Sequence, residues 1–138
     1  MRVLAVDFGF KRIGLAVGES DPVIATPRPS LTALGSLKRD AEQIGQFAKR
    51  EQVEQVVVGL PLEPDGEPGR MAKICRQLAD HLTNLGLKVA LVDESLSSKV
   101  AEQTLRETNL TAAGRRKRID GEAAVVIFER YIDEQTSP

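Results

Sequence analysis

The chain has 138 residues, of which 41% are hydrophobic, and this predicts one domain over residues 1–138 with one ordinary core. Its 19 Lys and Arg residues are balanced by 20 Asp and Glu residues, so any contact with nucleic acid has to come from a local basic patch. Aromatic residues make up 4% of the chain, which argues against rows of aromatic rings that stack on unpaired bases.

The sequence shows no pattern typical of a signal peptide or of a membrane-spanning helix. The chain starts directly on an apolar strand-like run, and no segment approaches the roughly 18 consecutive apolar residues of a membrane helix. The single Cys75 excludes an internal disulfide. These features predict a cytoplasmic protein that does not bind a membrane.

The first part of the chain predicts a β-meander. The apolar run Val3–Val6 ends at Asp7, and a second run, Ile13–Gly18, follows after a short glycine-containing connection, so we expect an antiparallel hairpin. Val23–Thr26 is predicted as a third short strand that stops at Pro27, because proline cannot donate a ladder hydrogen bond.

Helices and strands then alternate. Residues 36–52 have apolar side chains at helical spacing with Ser36 as the N-cap, and Gln55–Gly59 is a short buried strand. A second amphipathic helix begins near Met71 and ends before Gly86, and Leu87–Val92 is the next strand.

The last part of the chain predicts two helices around a loop. Ser97–Asn109 has a helical pattern, Leu110–Arg118 is basic and predicted as a mobile loop, and Asp120 is expected to open the final helix. The order of elements predicts an α/β fold with a mixed sheet and helices on both faces.

Acidic residues follow two of the predicted buried strands. Asp7 ends the first strand and Asp93-Glu94 ends the last, and the carboxyl ends of such strands border a ligand-binding crevice. Asp120 is a third acid, and the small residues after it would let its helix lie close to the sheet. Since adjacent strand residues point to opposite faces, only one of Asp93 and Glu94 is expected to face the crevice.

Three clustered carboxylates repel one another unless a cation lies between them. Oxygen ligands of this kind suit Mg²⁺ or Mn²⁺, and the lone His81 argues against zinc. Two such ions about 3.5–4 Å apart can support phosphodiester cleavage. The sequence therefore predicts a divalent metal site; the simpler alternatives are that Asp7 only ends a strand in a turn and that Asp120 only caps a helix.

Four segments in order carry a resemblance to a known family: Val6–Ala16, Val56–Leu62, Val92–Glu94 and Lys117–Ala124. Together they resemble the YqgF/RuvX family, small bacterial proteins with an RNase H-like fold that are described as pre-16S rRNA nucleases or Holliday junction resolvases. The resemblance covers nearly the whole chain.

The resemblance implies a three-layer RNase H-like fold in which a five-stranded mixed sheet has its first strand at the centre. It also implies that Asp7, Glu94 and Asp120 are the catalytic acids and the metal ligands, which leaves Asp93 a cap or turn role. The chain departs from the family at Ser95, where an arginine is usual. The missing cation is expected to weaken contact with substrate phosphate more than it affects metal binding.

Basic residues flank the acids at two places. Cations beside a metal cluster can hold a polyanion without reading its bases, although a charge run is often only a solvated loop. The candidate nucleic-acid-binding residues are Lys11, Arg12, Arg115, Arg116, Lys117 and Arg118.

Three functions follow from these features. The first is a metal-dependent endonuclease on structured RNA, with 5′-end processing of pre-16S rRNA implied by the resemblance. The second is a Holliday junction resolvase on branched DNA, which requires a two-fold dimer, whereas the sequence allows a monomer or a homodimer. The third is a non-catalytic RNA-binding factor in ribosome assembly. ATP binding is disfavoured because no Walker-type loop is present.

Overall fold

The computed structural model describes residues 1–61, 69–93 and 112–136, and for residues 112–120 and 136 it describes the backbone alone. Within these ranges the elements in chain order are β1 (Arg2–Phe8), β2 (Arg12–Ser20), β3 (Val23–Thr32), α1 (Leu37–Glu51), β4 (Gln55–Leu60), α2 (Arg70–Asn84), β5 (Val89–Asp93) and α3 (Ala112–Thr136). The predicted helix over 97–109 lies outside the described residues.

The five strands form one mixed sheet in the order β3-β2-β1-β4-β5. β1 pairs antiparallel with β2, and β2 pairs antiparallel with β3. β4 pairs parallel with β1, and β5 pairs parallel with β4. The predicted hairpin and the central position of the first strand are confirmed, in keeping with the full burial of Val3–Val6.

Helices α1 and α2 cover one face of the sheet. Alternate β1 residues Leu4, Val6 and Phe8 pack there against side chains such as Ile44 of α1 and Leu78 of α2. This layer is built from large aliphatic residues whose helical spacing was visible in the sequence.

Helix α3 covers the other face and touches every strand of the sheet. Val3 and Ala5 of β1 pack there with Ile127 and Phe128 of α3. The contact is close, because a Cβ added at Gly18 would overlap the Phe128 ring. The three-layer α/β architecture is therefore confirmed.

Helix α1 begins and ends at identifiable caps. The Ser36 side chain accepts a hydrogen bond from the Arg39 backbone N–H at 3.4 Å, as predicted. Asp40 in the first turn is buried, and its Oδ1 accepts from the Leu34 backbone N–H at 2.8 Å. Gln52 ends the helix in the left-handed region at φ 57°.

The prediction that the third strand stops at Pro27 is wrong. β3 continues through Pro27 and Pro29 to Thr32, and it lies at the edge of the sheet. The pairing with β2 shifts between Ile13 and Leu15, so that Pro29 lies in a bulge. Edge strands and bulges tolerate proline, because the missing donor is not needed by a second neighbouring strand.

The predicted loop over 110–118 is also wrong for its described part. α3 already begins at Ala112, so Arg115–Arg118 are helical and Asp120 lies inside the helix, not at its start. Ala, Arg and Lys have high helix propensity, and a single Gly114 is tolerated within a helix. No helix in residues 1–61, 69–93 and 112–136 has the length and apolar character needed to cross a membrane.

Candidate functional site

Asp7 is the penultimate residue of the central strand, and it is half-buried where the four residues before it are fully buried. Its partner on β2 is Gly14. On the other side, β1 and β4 pair up to Val6 and Val58, so Gly59 stands next to Asp7. Asp7 thus lies between two buried glycines, and these two neighbouring positions place no side chain beside its carboxylate.

The face on which Asp7 lies follows from strand alternation. Val3 and Ala5 pack against α3, and Asp7 has the same parity along β1. On β5, Val92 packs with α3 whereas Val89 and Leu91 pack on the α1–α2 side. Asp93 has the parity of Val89 and Leu91, so it is on the opposite face of the sheet from Asp7.

The direction of α3 relates position 120 to Asp7. Gly121 lies against Pro27, since an added Cβ would come within 2.9 Å of the Pro27 Cβ. Pro27 pairs with Ala16, whereas Phe128 lies over Gly18, which is two residues farther from Gly14. Residues before Gly121 therefore extend toward the end of the sheet that carries Asp7.

Position 120 is also on the sheet-facing side of the helix. It precedes Ala124 by four residues and Ile127 by seven, and both of these pack against the sheet. The expectation that small residues bring this helix close to the sheet is confirmed by the contact at Gly121.

The structure does not test the predicted trio as a unit. Glu94 lies outside the described residues, and for Asp120 only the backbone is described. In the described part of the chain, no three His, Cys, Asp or Glu side chains are grouped so that they could hold a metal ion. The assignment of Asp7, Glu94 and Asp120 as catalytic and metal-binding residues stays a prediction.

Two of the candidate cations lie at the same end of the sheet as Asp7. Lys11 is exposed in the β1–β2 turn, and Arg12 is the half-buried first residue of β2. Gly9 allows this tight turn, because a Cβ there would come within 2.7 Å of the Arg12 backbone oxygen. Arg115, Arg116, Lys117 and Arg118 contribute helical backbone near the start of α3. Their contact with nucleic acid stays a prediction.

Sequence reasoning missed two residues near the site. Phe10 is exposed in the β1–β2 turn. An aromatic residue next to Lys11 in a predicted turn was the sequence feature that could have indicated it. Arg130 of α3 donates from Nη1 to the Asp93 backbone oxygen at 2.9 Å. This bond fastens α3 to the residue just before Glu94, and no local pattern in the sequence pointed to it.

The largest of the described cavities lies elsewhere. Its volume is about 690 Å³, and Gly45 and Lys49 of α1 face Leu85 and Leu87 across it. Leu85 and Leu87 precede β5, so this cavity lies at the opposite end of the sheet from Asp7. It does not contribute to the candidate site.

Comparisons with known proteins agree with this geometry. The sequence model of the family "RuvX: Holliday junction resolvase" matches residues 1–134. A protein of Anaeromyxobacter sp. (strain K) named "Putative pre-16S rRNA nuclease" is 41% identical over 137 residues, which cover 98% of each chain. A protein of the same name from Maridesulfovibrio salexigens is 37% identical over 135 residues, which cover 96% of this chain and 98% of the relative.

Two solved structures share the fold. Thermus thermophilus RuvC aligns with a TM-score of 0.60 and 14% identity, covering 99% of this chain and 98% of that chain. RuvC of T. thermophilus in complex with a Holliday junction substrate aligns with a TM-score of 0.59 and 15% identity, covering 99% and 97%. At this identity the likeness shows the fold alone, and it confirms the RNase H-like architecture implied by the resemblance.

Proposed function

The chain belongs to the RuvX family, and from this premise we propose that it is a divalent-metal-dependent endonuclease that processes the 5′ end of pre-16S rRNA. The observation that carries the proposal is the position of Asp7. Its half-buried carboxylate lies at the carboxyl end of the central strand, between Gly14 and Gly59, at the edge of the sheet where α/β proteins bind their ligands.

Metal binding is proposed from the chemistry of the donors. Asp7, Glu94 and Asp120 would supply carboxylate oxygens, which are the ligands that Mg²⁺ and Mn²⁺ prefer. Such ions, two of them in our proposal, activate a water and stabilise the leaving oxygen when bound. The role of the three carboxylates would be to hold the ions at a fixed position at the end of the sheet.

Strand alternation supports Glu94 over Asp93 as the second acid. Asp93 is on the opposite face from Asp7, and its backbone oxygen is bonded by Arg130. Asp93 is therefore not in a position to approach Asp7, and the proposal assigns the second acid to Glu94, the next residue in the chain.

The cations are proposed to hold the phosphate backbone. Lys11 and Arg12 lie at the Asp7 end of the sheet, and the segment Arg115–Arg118 begins the helix that extends toward that end. Basic side chains at such places position a nucleic acid without reading its sequence. Ser95, outside the described residues, does not supply the cation that is usual in the family.

RNA is the preferred substrate in this proposal because the full-length relatives at 37–41% identity carry the pre-16S rRNA nuclease name. Branched DNA is the substrate named for RuvC, whose likeness to this chain at 15% identity extends to the fold only. Resolvase activity would also need a two-fold dimer.

The test compares wild type with Asp7→Asn on pre-16S RNA, single-stranded DNA and a four-way DNA junction, each with Mg²⁺, Mn²⁺ or EDTA. We expect metal-dependent cleavage of the RNA. Asp7→Asn should lower its rate by at least about 100-fold, since even an outer partner of a metal ligand is worth 10–100-fold. Glu94→Gln and Asp120→Asn should do the same.

Asp80→Asn is the matched control, because Asp80 is an exposed carboxylate on α2, away from the candidate site. It should cut like wild type, and calorimetric titration with Mn²⁺ should show binding to wild type and to Asp80→Asn only. Full activity in Asp7→Asn would overturn the role of Asp7, and preferential cutting of the junction would replace RNA processing by junction resolution.

A further inference from the structure

Phe10 differs from the other aromatic residues of the chain. Its side chain is 64% exposed, whereas Phe8, Phe128 and Tyr131 are buried and Phe47 is half-buried. A single exposed apolar residue is common on protein surfaces and needs a second observation before it indicates a site.

The Phe10 ring packs against a buried aromatic ring. It meets the buried Phe8 ring edge to face, with centroids 6.4 Å apart and planes at 75°. The turn that carries it is closed by Gly9 and is tied to the β3–α1 connection, because the Lys11 backbone oxygen accepts a hydrogen bond from the Ala33 backbone N–H at 3.0 Å. The ring is thus a supported platform.

A small, mainly apolar cavity opens beside the ring. Its volume is about 150 Å³, and Ser36 and Asp40 add polar groups to its lining. The apolar lining residues are Phe8, Phe10, Ala33, Leu37 and Ile74. A flat apolar group can therefore approach Phe10 without displacing a packed side chain.

The residues around Phe10 indicate the chemical class of the flat group that would stack on it. Phe10 is three residues beyond Asp7 on the same hairpin, but it rests on Phe8, whose side chain is on the α1–α2 face of the sheet, opposite to Asp7. Lys11 beside it is exposed. An aromatic ring next to a cation is the combination that single-stranded nucleic acids use, because bases stack on the ring while the phosphate is attracted to the cation.

We propose that Phe10 stacks on an unpaired base of the nucleic-acid substrate where the strand passes the end of the sheet toward the α1–α2 side, while Lys11 contacts a neighbouring phosphate. This inference rests on the proposed nuclease function and adds to it that the substrate is single-stranded where it passes Phe10. The enzyme should therefore bind a single strand more tightly than a fully paired duplex.

Binding is measured by fluorescence anisotropy, with Ca²⁺ in place of Mg²⁺, on a short labelled single-stranded RNA and on the same strand annealed to its full complement. Phe10→Ala should weaken single-strand binding by about 10-fold, in the range found for base–aromatic stacking. Phe10→Tyr should bind like wild type, and Phe10→Leu should bind like Phe10→Ala because leucine lacks a π face. All three should bind the duplex like wild type.

Leu34→Ala is the matched control, since Leu34 is a 42% exposed apolar residue in the nearby β3–α1 connection. It should leave both affinities unchanged, and melting temperatures of all variants should match wild type. Wild-type affinity of Phe10→Ala or Phe10→Leu, or equal losses on single strand and duplex, would overturn the stacking role.

The two proposals fail separately. If Asp7→Asn abolishes cutting while Phe10→Ala binds like wild type, the nuclease function stands and the stacking role falls. If neither wild type nor any variant cuts RNA but Phe10→Ala loses single-strand binding, stacking stands and the chain is a binding protein. A third outcome would assign this surface to a protein partner. In that outcome the RNA affinity does not depend on Phe10, whereas a peptide or protein competes with RNA for wild type but not for Phe10→Ala.

Discussion

The two faces of the sheet are packed in different ways. The face under α1 and α2 is filled by long aliphatic side chains such as Ile44 and Leu78. On the other face Gly18 lies directly under the Phe128 ring, and Gly121 touches Pro27. The first arrangement buries much apolar area, whereas the second brings one helix close to the strands. Both layers bury apolar side chains, but only the second holds a helix with a candidate acid, Asp120, close to the strands. We therefore expect the α1–α2 layer to serve stability and the α3 layer to serve stability and the site.

A large effect on stability is expected in the α1–α2 layer. Ile44 is fully buried, so Ile44→Ala should lower the free energy of unfolding by about 2–5 kcal/mol. Urea denaturation measures this loss, with Ile44→Val as the matched smaller change. RNA cleavage under conditions where the variant stays folded should equal that of wild type, and a loss of rate there would contradict the division of roles between the layers.

A smaller effect on stability is expected at Arg130 in the α3 layer. Arg130→Ala removes the 2.9 Å hydrogen bond to the Asp93 backbone oxygen, which should cost about 1 kcal/mol. Because this bond joins α3 to the residue before Glu94, cleavage rate and Mn²⁺ affinity should fall in a chain that remains folded.

Glu129→Ala serves as the control for Arg130→Ala, since Glu129 is an exposed neighbour on the same helix. It should change neither the cleavage rate nor the Mn²⁺ affinity. Equal behaviour of the two variants would mean that the bond to Asp93 does not position the site.

The smallest effect on stability is expected at Gly121. Replacing a helical glycine by alanine gains about 1 kcal/mol in helix propensity, but the new Cβ would lie 2.9 Å from the Pro27 Cβ. The two terms oppose each other, so Gly121→Ala should leave the unfolding free energy nearly unchanged. Since the helix has to move away from β3, the cleavage rate should fall.

Gly45 of α1 offers the matched substitution on the other face. Its added Cβ would be 3.4 Å from the tip of the Leu85 side chain, an ordinary contact distance. Gly45→Ala should therefore stabilise the protein by about 1 kcal/mol and leave cleavage unchanged. If both alanine variants raised stability equally and cut equally well, close packing of α3 would have no functional role.

Part of this architecture was visible in the sequence. The Ser36 cap, the antiparallel hairpin and the burial of Val3–Val6 follow from residue types and spacing over a few positions. The placement of Asp7 at the end of a buried strand could be predicted for the same reason. The end of β3 and the start of α3 at Ala112 could not be, because they depend on neighbouring strands and on helix packing.

The sequence by itself determined most of the strands and helices and put an acid at the end of the central strand, because periodicity and turn residues act locally. Only the tertiary structure decided that Pro29 lies in an edge bulge, that Asp93 and Asp7 lie on opposite faces, and that Phe10 rests on Phe8. These features depend on contacts between segments far apart in the chain. Strand register and helix position set such contacts, and neither can be predicted from a short segment of the sequence.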